Sequence, residues 1–306
     1  MVAGVDYAVG IPAGTSLTDW QSISISGVTV NTTSNTVTVG GDNITLNGID
    51  FSLHGGAALT VTGSNCLVIN CNFQYGSAMA TAGRIFIING SGPNLTVKYS
   101  VLDGNGPTLG SSAASQSALI NYTSGLSVEY CLLENFNQHA IEFDASVDHT
   151  LVYQFNLVYN GGSGAVGQHL NYLQFGTNNC TTTVTCNFNT TYQPSAPVSG
   201  GEGFQFYSGG VSAIQSGTLS FNTMIYDSAG NGRMHVTANP SAGSGSHALA
   251  TISTNYIFKG SGSFWTSDVG ATGDTVNGNV VTNSLGDNMT YVGNIDISTG
   301  NSIAAN

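Results

Sequence analysis

The sequence predicts an all-β solenoid, a fold in which the chain winds through successive coils of parallel strands. A short unit recurs along most of the 306 residues, in which an apolar stretch runs into a small polar residue and then directly into another apolar residue. Most copies are 22 to 35 residues apart, a period typical of solenoids, whose repeats cannot bury their apolar faces alone. Apolar residues make up 41% of the chain, enough for a long core, and charged residues only 7%. No long stretch has helical periodicity.

The copies of the unit share one polar position. We predict that this position lies at a sharp bend between two strands, where Asn adopts the left-handed conformation and bonds its own backbone. Asn stacked on Asn is also expected to form an amide ladder along the solenoid. The row is therefore interpreted as architecture and not as a binding site. Its members are Asp50, Asn72, Ser100, Cys131, Asn156, Asn187, Asn222, Asn255, Asn279 and Asn294.

The chain is interpreted as one elongated domain of about ten coils. Residues 20–41 alternate apolar and polar residues, as half-buried strands do. Residues 1–40 are predicted to form an N-terminal cap and the first strands, which cover a sheet edge. Residues 41–297 form the predicted solenoid, and residues 298–306 a C-terminal tail. Long inserts follow the bend in the middle coils and are predicted to wall a groove. They are residues 106–117, 160–171, 189–203 and 237–248.

The charge balance disfavours two classes of partner. Four Lys and Arg against sixteen Asp and Glu give a net charge of −12, which argues against nucleic acid and against anionic membrane surfaces. No apolar run is long enough to cross a bilayer. We expect an extracellular or cell-surface protein from the scarce Lys and the neutral polar surface. No signal peptide is recognised at Met1, and the start is interpreted as that of a trimmed or excised domain.

The five cysteines offer one disulfide. Cys180 and Cys186 flank the residues TTTVT and could close a small loop. The odd count leaves at least one thiol free if every bridge is intramolecular. A zinc site is disfavoured because the cysteine spacing matches no zinc pattern.

The Asn-bend repeat, the irregular coil length and the side loops resemble the right-handed parallel β-helix superfamily, the pectate-lyase-like group, over roughly residues 40–297. The resemblance implies a right-handed helix and a polysaccharide bound in an external groove. The polygalacturonase elements NTD, DD, GHG and RIK and the epimerase signature DPH are not found, so no catalytic residue is carried over. The superfamily's recurrent use of calcium makes Asp144, Asp148 and Glu134 candidate oxygen ligands.

A second strand follows each bend and supplies the candidate site. In the middle coils its apolar residues pair inward, as Ile141 and Phe143 do, so the residues between them point outward. On neighbouring coils these outward residues are expected to form one polar row. Its members are Glu142, Gln174, Gln205 and His235, extended by Trp265.

Two chemistries fit this row, and both stay open. In a lyase, Arg233 would neutralise a uronate carboxylate while His235 or Tyr207 transfers the proton. In a hydrolase, two carboxylates would flank the glycosidic bond. The candidate carboxylates are Glu142, Asp144 and Glu202. The predicted substrate-binding residues are Gln174, Gln205, Asn171, His139, His169 and Trp265.

The functional expectation is an extracellular polysaccharide-degrading enzyme, either a polysaccharide lyase or a glycoside hydrolase. The alternative is a non-catalytic carbohydrate-binding adhesin, surface solenoid or tailspike-like protein, in which the same row only binds sugar or solvates the surface. The oligomeric state is left open.

Overall fold

The chain winds as a parallel β-solenoid whose coils pass through three sheets, which we number 1 to 3 in the order that each coil visits them. This arrangement confirms the predicted all-β solenoid. The computed structural model describes residues 1–106, 117–143, 149–161, 170–175, 181–194, 201–205, 213–226, 233–237, 248–258, 263–266, 279–282, 288–292 and 295–296.

Within the described residues each sheet has ten strands. Sheet 1 contains Thr45–Asn47, Leu67–Ile69, Leu95–Lys98, Leu126–Glu129, His149–Gln154, Thr181–Asn187, Ala213–Ser220, Ala248–Ser253, Asn279–Thr282 and Asn288–Val292. Sheet 2 contains Thr18–Asp19, Ile49–Asp50, Asn72–Gln74, Val101–Asp103, Leu132–Glu134, Leu157–Tyr159, Thr190–Gln193, Thr223–Tyr226, Tyr256–Phe258 and Ile295–Asp296. Sheet 3 contains Val28–Asn31, Thr36–Val39, Ala58–Val61, Phe86–Gly90, Ser117–Asn121, His139–Phe143, Leu170–Phe175, Gly201–Gln205, Arg233–Thr237 and Ser263–Thr266.

Two antiparallel pairs end the otherwise parallel sheets. Val28–Asn31 pairs with Thr36–Val39 at one end of sheet 3, and Asn279–Thr282 pairs with Asn288–Val292 at the other end of sheet 1. The short helices of the described chain are the 3-10 turns Trp20–Ser22 and Leu53–Gly55 and the α-helix Ser77–Thr81. No helix in these described ranges is long and apolar enough to cross a membrane.

The core fills the inside of the coils. Because strand side chains alternate, every second residue points inward. In sheet 1, for example, Val97 and Val128 are in register and are fully buried. Phe51 and Phe73 stack inside the first coils with their ring centroids 4.3 Å apart. Each such side chain contributes roughly 1.5–3 kcal/mol on burial, but only when the next coil covers it.

The corner between sheets 1 and 2 carries a ladder of inward side chains. In successive coils the ladder residue is Cys71, Ser100, Cys131, Asn156, Asn189, Asn222 and Asn255. Nδ2 of Asn189 donates to Oδ1 of Asn222, and Nδ2 of Asn222 donates to Oδ1 of Asn255, both at 3.0 Å. Asn222 also donates to the carbonyl of Cys186 and accepts the backbone N–H of Asn189. The predicted amide ladder is therefore confirmed.

The membership of the ladder differs from the prediction. Asp50 and Asn72 lie in sheet-2 strands, one residue beyond the corner, and Asn187 ends a sheet-1 strand, two residues before Asn189. Asn279 begins an antiparallel strand. Small polar residues occur on both sides of the corner. From the sequence alone, copies of the repeat can therefore be aligned one or two residues away from the true ladder position. Asn294 lies outside the described residues.

The expectation that the ladder Asn itself takes the left-handed conformation was wrong. That conformation belongs to the preceding residue, with φ of +59° at Phe155 and +60° at Phe188 and at Phe221. Tyr99 and Tyr130 occupy the same position in earlier coils, with φ of +47° and +55°. The five rings stack along the solenoid axis with centroids 4.8 to 5.1 Å apart, and we call them the aromatic stack.

The disulfide that the sequence allowed between Cys180 and Cys186 does not form. Cys186 is a free and fully buried thiol. It lies near the end of the extended strand Thr181–Asn187, which begins directly after Cys180. Five residues of strand separate Thr181 from Cys186 by about 16 Å, whereas a disulfide needs Cα atoms within roughly 7 Å.

We expect Asn222→Ala to lower the free energy of unfolding by roughly 2–4 kcal/mol, because the buried N–H of Asn189 and the carbonyl of Cys186 lose their partner. The measurement is equilibrium unfolding in urea. Asn47→Ala is the matched control, since Asn47 is an exposed amide that accepts a hydrogen bond from Asn70 at 2.9 Å. The control should stay within about 0.5 kcal/mol of the parent. Equal losses in the two variants would contradict a special role for the buried ladder.

Candidate functional site

The predicted polar row lies on sheet 3, and three of its residues are paired in register as predicted. Glu142 pairs with Gln174, and Gln174 pairs with Gln205. His235 does not continue the row, because Gln205 pairs with Thr237 and His235 pairs with Trp265. A shift of two residues keeps the same face outward, so the alternation of apolar residues could not distinguish the two registers.

Part of this face is covered. Ile87, Ala118 and Ala140 occupy outward positions of sheet 3, yet each is at most 1% exposed. They belong to one buried cluster with Tyr75 and Met79, which lie after the sheet-2 strand of the same coil as Ile87. The outward face of these coils is therefore covered at these positions and is not an open groove there.

The described side chains of the predicted site are those of His139 and Glu142. His139 is 2% exposed and lies on the same side of its strand as Ile141, which is the inside of the solenoid. It therefore does not face the predicted row, whereas Glu142 is half-buried on the outward side.

The other predicted site residues are described less fully. Asp144, His169 and Tyr207 lie outside the described residues. The structure gives only a strand position for Asn171, Gln174, Glu202, Gln205, Arg233, His235 and Trp265. Their catalytic and binding roles stay predictions.

A second outward row lies on sheet 2, and we call it the sheet-2 row. It is formed by Gln74, Asp103, Glu134, Tyr159 and Tyr192, which are paired in register on five successive coils. Each residue stands three positions after the ladder residue of its coil, so the corner places all five on one line. Adjacent members are ~4.8 Å apart along the axis.

Asp103 is held by three hydrogen bonds. Nε2 of Gln74 donates to Oδ2 at 2.8 Å, and the backbone N–H of Asn105 donates to Oδ1 at 2.8 Å. Nδ2 of Asn135 donates to the same Oδ1 at 3.0 Å. An ionised carboxylate accepts several such donors, and these three fix its orientation on the outside of the coil.

Glu134 has a different environment, although it is the direct neighbour of Asp103. Among the described residues no donor reaches its carboxylate. Partial burial, and secondly the charge of Asp103, raise the pKa of Glu134 to about 6. The two carboxyl groups therefore differ in their surroundings in the way that separates a general acid from its ionised partner.

Two tyrosines continue the row beyond the carboxyl pair. The rings of Tyr159 and Tyr192 have centroids 5.6 Å apart and planes tilted by 56°. Both side chains are partly exposed. Partly exposed aromatic rings give apolar contact area for a sugar ring, and their hydroxyl groups can bond to sugar hydroxyls.

The turn after the row is braced by asparagines. Asn105, Asn135 and Asn160 each take the left-handed conformation, with φ of +56°, +56° and +49°. Nδ2 of Asn160 donates to Oδ1 of Asn135 at 2.8 Å, and Asn135 in turn donates to Asp103. Two of the predicted long inserts, residues 106–117 and 160–171, begin at these turns and follow Asp103 and Tyr159 in sequence. The predicted insert 189–203 was partly wrong, because Thr190–Gln193 is a strand of sheet 2 that contains Tyr192.

The calcium prediction is not tested by this geometry. Of its three candidate ligands, Asp144 and Asp148 lie outside the described residues. Within the part of the chain that the structure describes, no group of three or more His, Cys, Asp or Glu side chains is placed to hold a metal ion.

The sheet-2 row had a signal in the sequence that our interpretation did not use. Asp103, Glu134 and Tyr159 are the last residues of three copies of the repeated unit, which span residues 98–103, 129–134 and 153–159. Because the repeated unit was interpreted as purely structural, its last residues were not predicted to form a site. Glu134 was predicted only as a candidate calcium ligand. A repeat whose last position is a carboxyl group in two adjacent coils would have indicated this row.

We expect the Glu134 carboxyl to titrate near pH 6 and its pKa to fall in Asp103→Asn, because the like charge is removed while the burial stays. Carboxyl resonances followed by NMR across the pH range give the measurement, and Glu134→Gln identifies the resonance. A Glu134 midpoint that stays the same or rises in Asp103→Asn would contradict the coupling of the two groups.

Comparisons with known proteins add no assignment. No protein-family model, no curated protein and no solved structure matches this chain. The likeness to the pectate-lyase-like superfamily therefore rests on the repeat pattern and on the parallel coils. Function has to be inferred from the side chains of the candidate site.

Proposed function

We propose that this chain is an extracellular polysaccharide-degrading enzyme of the glycoside hydrolase type, built on a right-handed, pectate-lyase-like β-helix. The glycan lies along the sheet-2 row, with Glu134 as the general acid and Asp103 as its carboxylate partner. The observation that carries the proposal is the pairing of two carboxyl groups in register on adjacent coils, one held by three donors and the other by none among the described residues.

Hydrolysis of a glycosidic bond needs these two states side by side. One carboxyl group must carry a proton for the leaving oxygen, and the other must be ionised to attack the anomeric carbon or to activate water. The raised pKa of Glu134 suits the first role. The spacing of ~4.8 Å between adjacent coils is close to the roughly 5–5.5 Å that separates the carboxyl groups of retaining enzymes.

The rest of the row supports binding of a chain and not of a single sugar. Gln74 precedes the carboxyl pair, and Tyr159 and Tyr192 follow it on the next coils. From Gln74 to Tyr192 the row spans four coil steps, or ~19 Å. No Lys or Arg belongs to this row, so it favours a neutral glycan over a uronate polymer.

The predicted lyase and the non-catalytic alternative can be distinguished from the proposed hydrolase by the residues that they use and the product that they release. A lyase would act through Arg233 and His235 on sheet 3 and would release an unsaturated uronate. A binding protein would use the same amide and tyrosine side chains of sheet 2 without releasing any product.

We expect the protein to release reducing ends from at least one polysaccharide in a panel of xylan, mannan, galactan, arabinan and polygalacturonate. Glu134→Gln and Asp103→Asn should each lower kcat by about 10²–10⁴-fold, because one member of the acid and base pair is lost. The rate should fall as the pH rises above about 6, where the Glu134 carboxyl loses its proton.

Glu129→Gln is the matched control for these variants. Glu129 is a carboxylate of the same coil, but it lies on sheet 1 and pairs with Lys98 at 3.0 Å. Its replacement should leave kcat unchanged. Release of an unsaturated uronate would instead identify a lyase, and binding without product would favour the non-catalytic alternative. Activity that survives in both Glu134→Gln and Asp103→Asn would remove the sheet-2 row as the active site.

A further inference from the structure

The first ten residues lie lengthwise on the outside of the solenoid, and we call residues 1–10 the strap. The hydroxyl of Thr223 donates to the carbonyl of Met1 at 2.7 Å. The backbone N–H of Ala3 donates to Oγ1 of Thr190 at 2.8 Å. These contacts join residues 222 and 187 positions apart, whereas coils of a solenoid otherwise contact only their neighbours.

Tyr7 seats the middle of the strap on the aromatic stack. Its ring meets those of Tyr130 and Phe155 edge to face, with interplanar angles of 89° and centroid distances of 6.3 and 5.6 Å. Its hydroxyl donates to the carbonyl of Phe188. Tyr7 therefore joins the strap to the corner between sheets 1 and 2 on three successive coils.

Gly10 seats the other end of the strap. Its backbone N–H donates to the carbonyl of Tyr130 at 2.8 Å. A Cβ atom at Gly10 would lie 3.2 Å from Cγ2 of Val101 and 3.6 Å from Cβ of Leu132, so the glycine backbone rests directly on these two side chains. Val101 and Leu132 begin the two strands that end at Asp103 and Glu134.

The strap thus lies along the outward row that stands next to the sheet-2 row, and it contacts four of the five members of that row. That row is in register on five coils and consists of Val101, Leu132, Leu157, Thr190 and Thr223. On each of the first four coils the sheet-2 row follows two residues later, on the same face and ~6.6–7 Å away. The strap and the sheet-2 row therefore run side by side along the solenoid.

We propose that the strap forms one wall of the groove whose floor is the sheet-2 row, and that a glycan on this floor contacts the strap along its length. This inference rests on the proposed function. The strap is a positioning element, because none of its residues is placed among the reacting carboxyl groups. Its backbone and side chains supply binding contacts that are the same in the ground state and the transition state.

The test uses steady-state kinetics on the polysaccharide of the panel that the parent protein cleaves fastest. Tyr7→Ala should raise KM roughly 3- to 10-fold, the size of one lost aromatic contact. The loss should appear in KM and not in kcat, since uniform binding is removed. Tyr7→Phe keeps the ring on the aromatic stack and should recover most of the lost affinity. Ile25→Ser is the control, because Ile25 is an exposed apolar residue that lies outside the strap, and it should leave KM unchanged.

Amide hydrogen exchange at Ala3 and Gly10, measured without glycan, reports whether the substitution at Tyr7 releases the strap from the solenoid. A second variant, in which residues 1–9 are deleted, removes most of the strap whether or not the substitution releases it. If the strap is released or deleted and KM stays at the parent value, the proposal that the strap is a wall of the groove is contradicted. The proposed hydrolase function would be unaffected by that result. A fall in kcat and thermal stability at constant KM would show a structural brace only and would also overturn the wall. A parent protein that neither binds nor cleaves any polysaccharide of the panel would remove the proposed function and the wall together.

Discussion

The buried amide ladder at the corner between sheets 1 and 2 is the constraint on which the rest of this structure depends. A bulky residue in the left-handed conformation costs about 1–2 kcal/mol, and the corner places one in coil after coil, as at Phe155 and Phe188. The ladder offsets this cost because each Asn satisfies buried backbone groups on both sides of the bend. The stacked rings outside the corner add aromatic contacts that only the next coil can supply.

The corner also sets the chemistry of the surface. Because every coil turns at the same point, the third residue after the ladder residue falls on one line along the outside of sheet 2. That line brings Asp103 and Glu134 together from positions 31 residues apart in the sequence. The same regularity places the row that the strap contacts two positions earlier in each strand. A repetitive fold can therefore build a site from residues that show no motif in the linear sequence.

Asp103 and Glu134 occupy equivalent positions on adjacent coils, but they differ in the hydrogen-bond donors that their neighbours supply. Asp103 collects donors from the coil before it, from its own turn and from the coil after it. Glu134 takes the equivalent place on the next coil, where Tyr159 follows it in register and brings no donor to its carboxylate. Burial without hydrogen bonds favours the protonated form. A single change of residue type between adjacent coils is thus enough to create an acid beside a carboxylate.

The sequence by itself determined the solenoid, the amide ladder and the inward pairs such as Ile141 and Phe143, because period and alternation are properties of the linear chain. It could not determine the register between coils, since a pattern that alternates every two residues matches itself after a shift of two, as His235 and Thr237 show. It also could not show that outward positions of sheet 3, such as Ile87 and Ala140, are buried. Only the tertiary structure decided which outward row is open, which carboxyl groups are neighbours, and where the first ten residues lie, because each depends on contacts between coils.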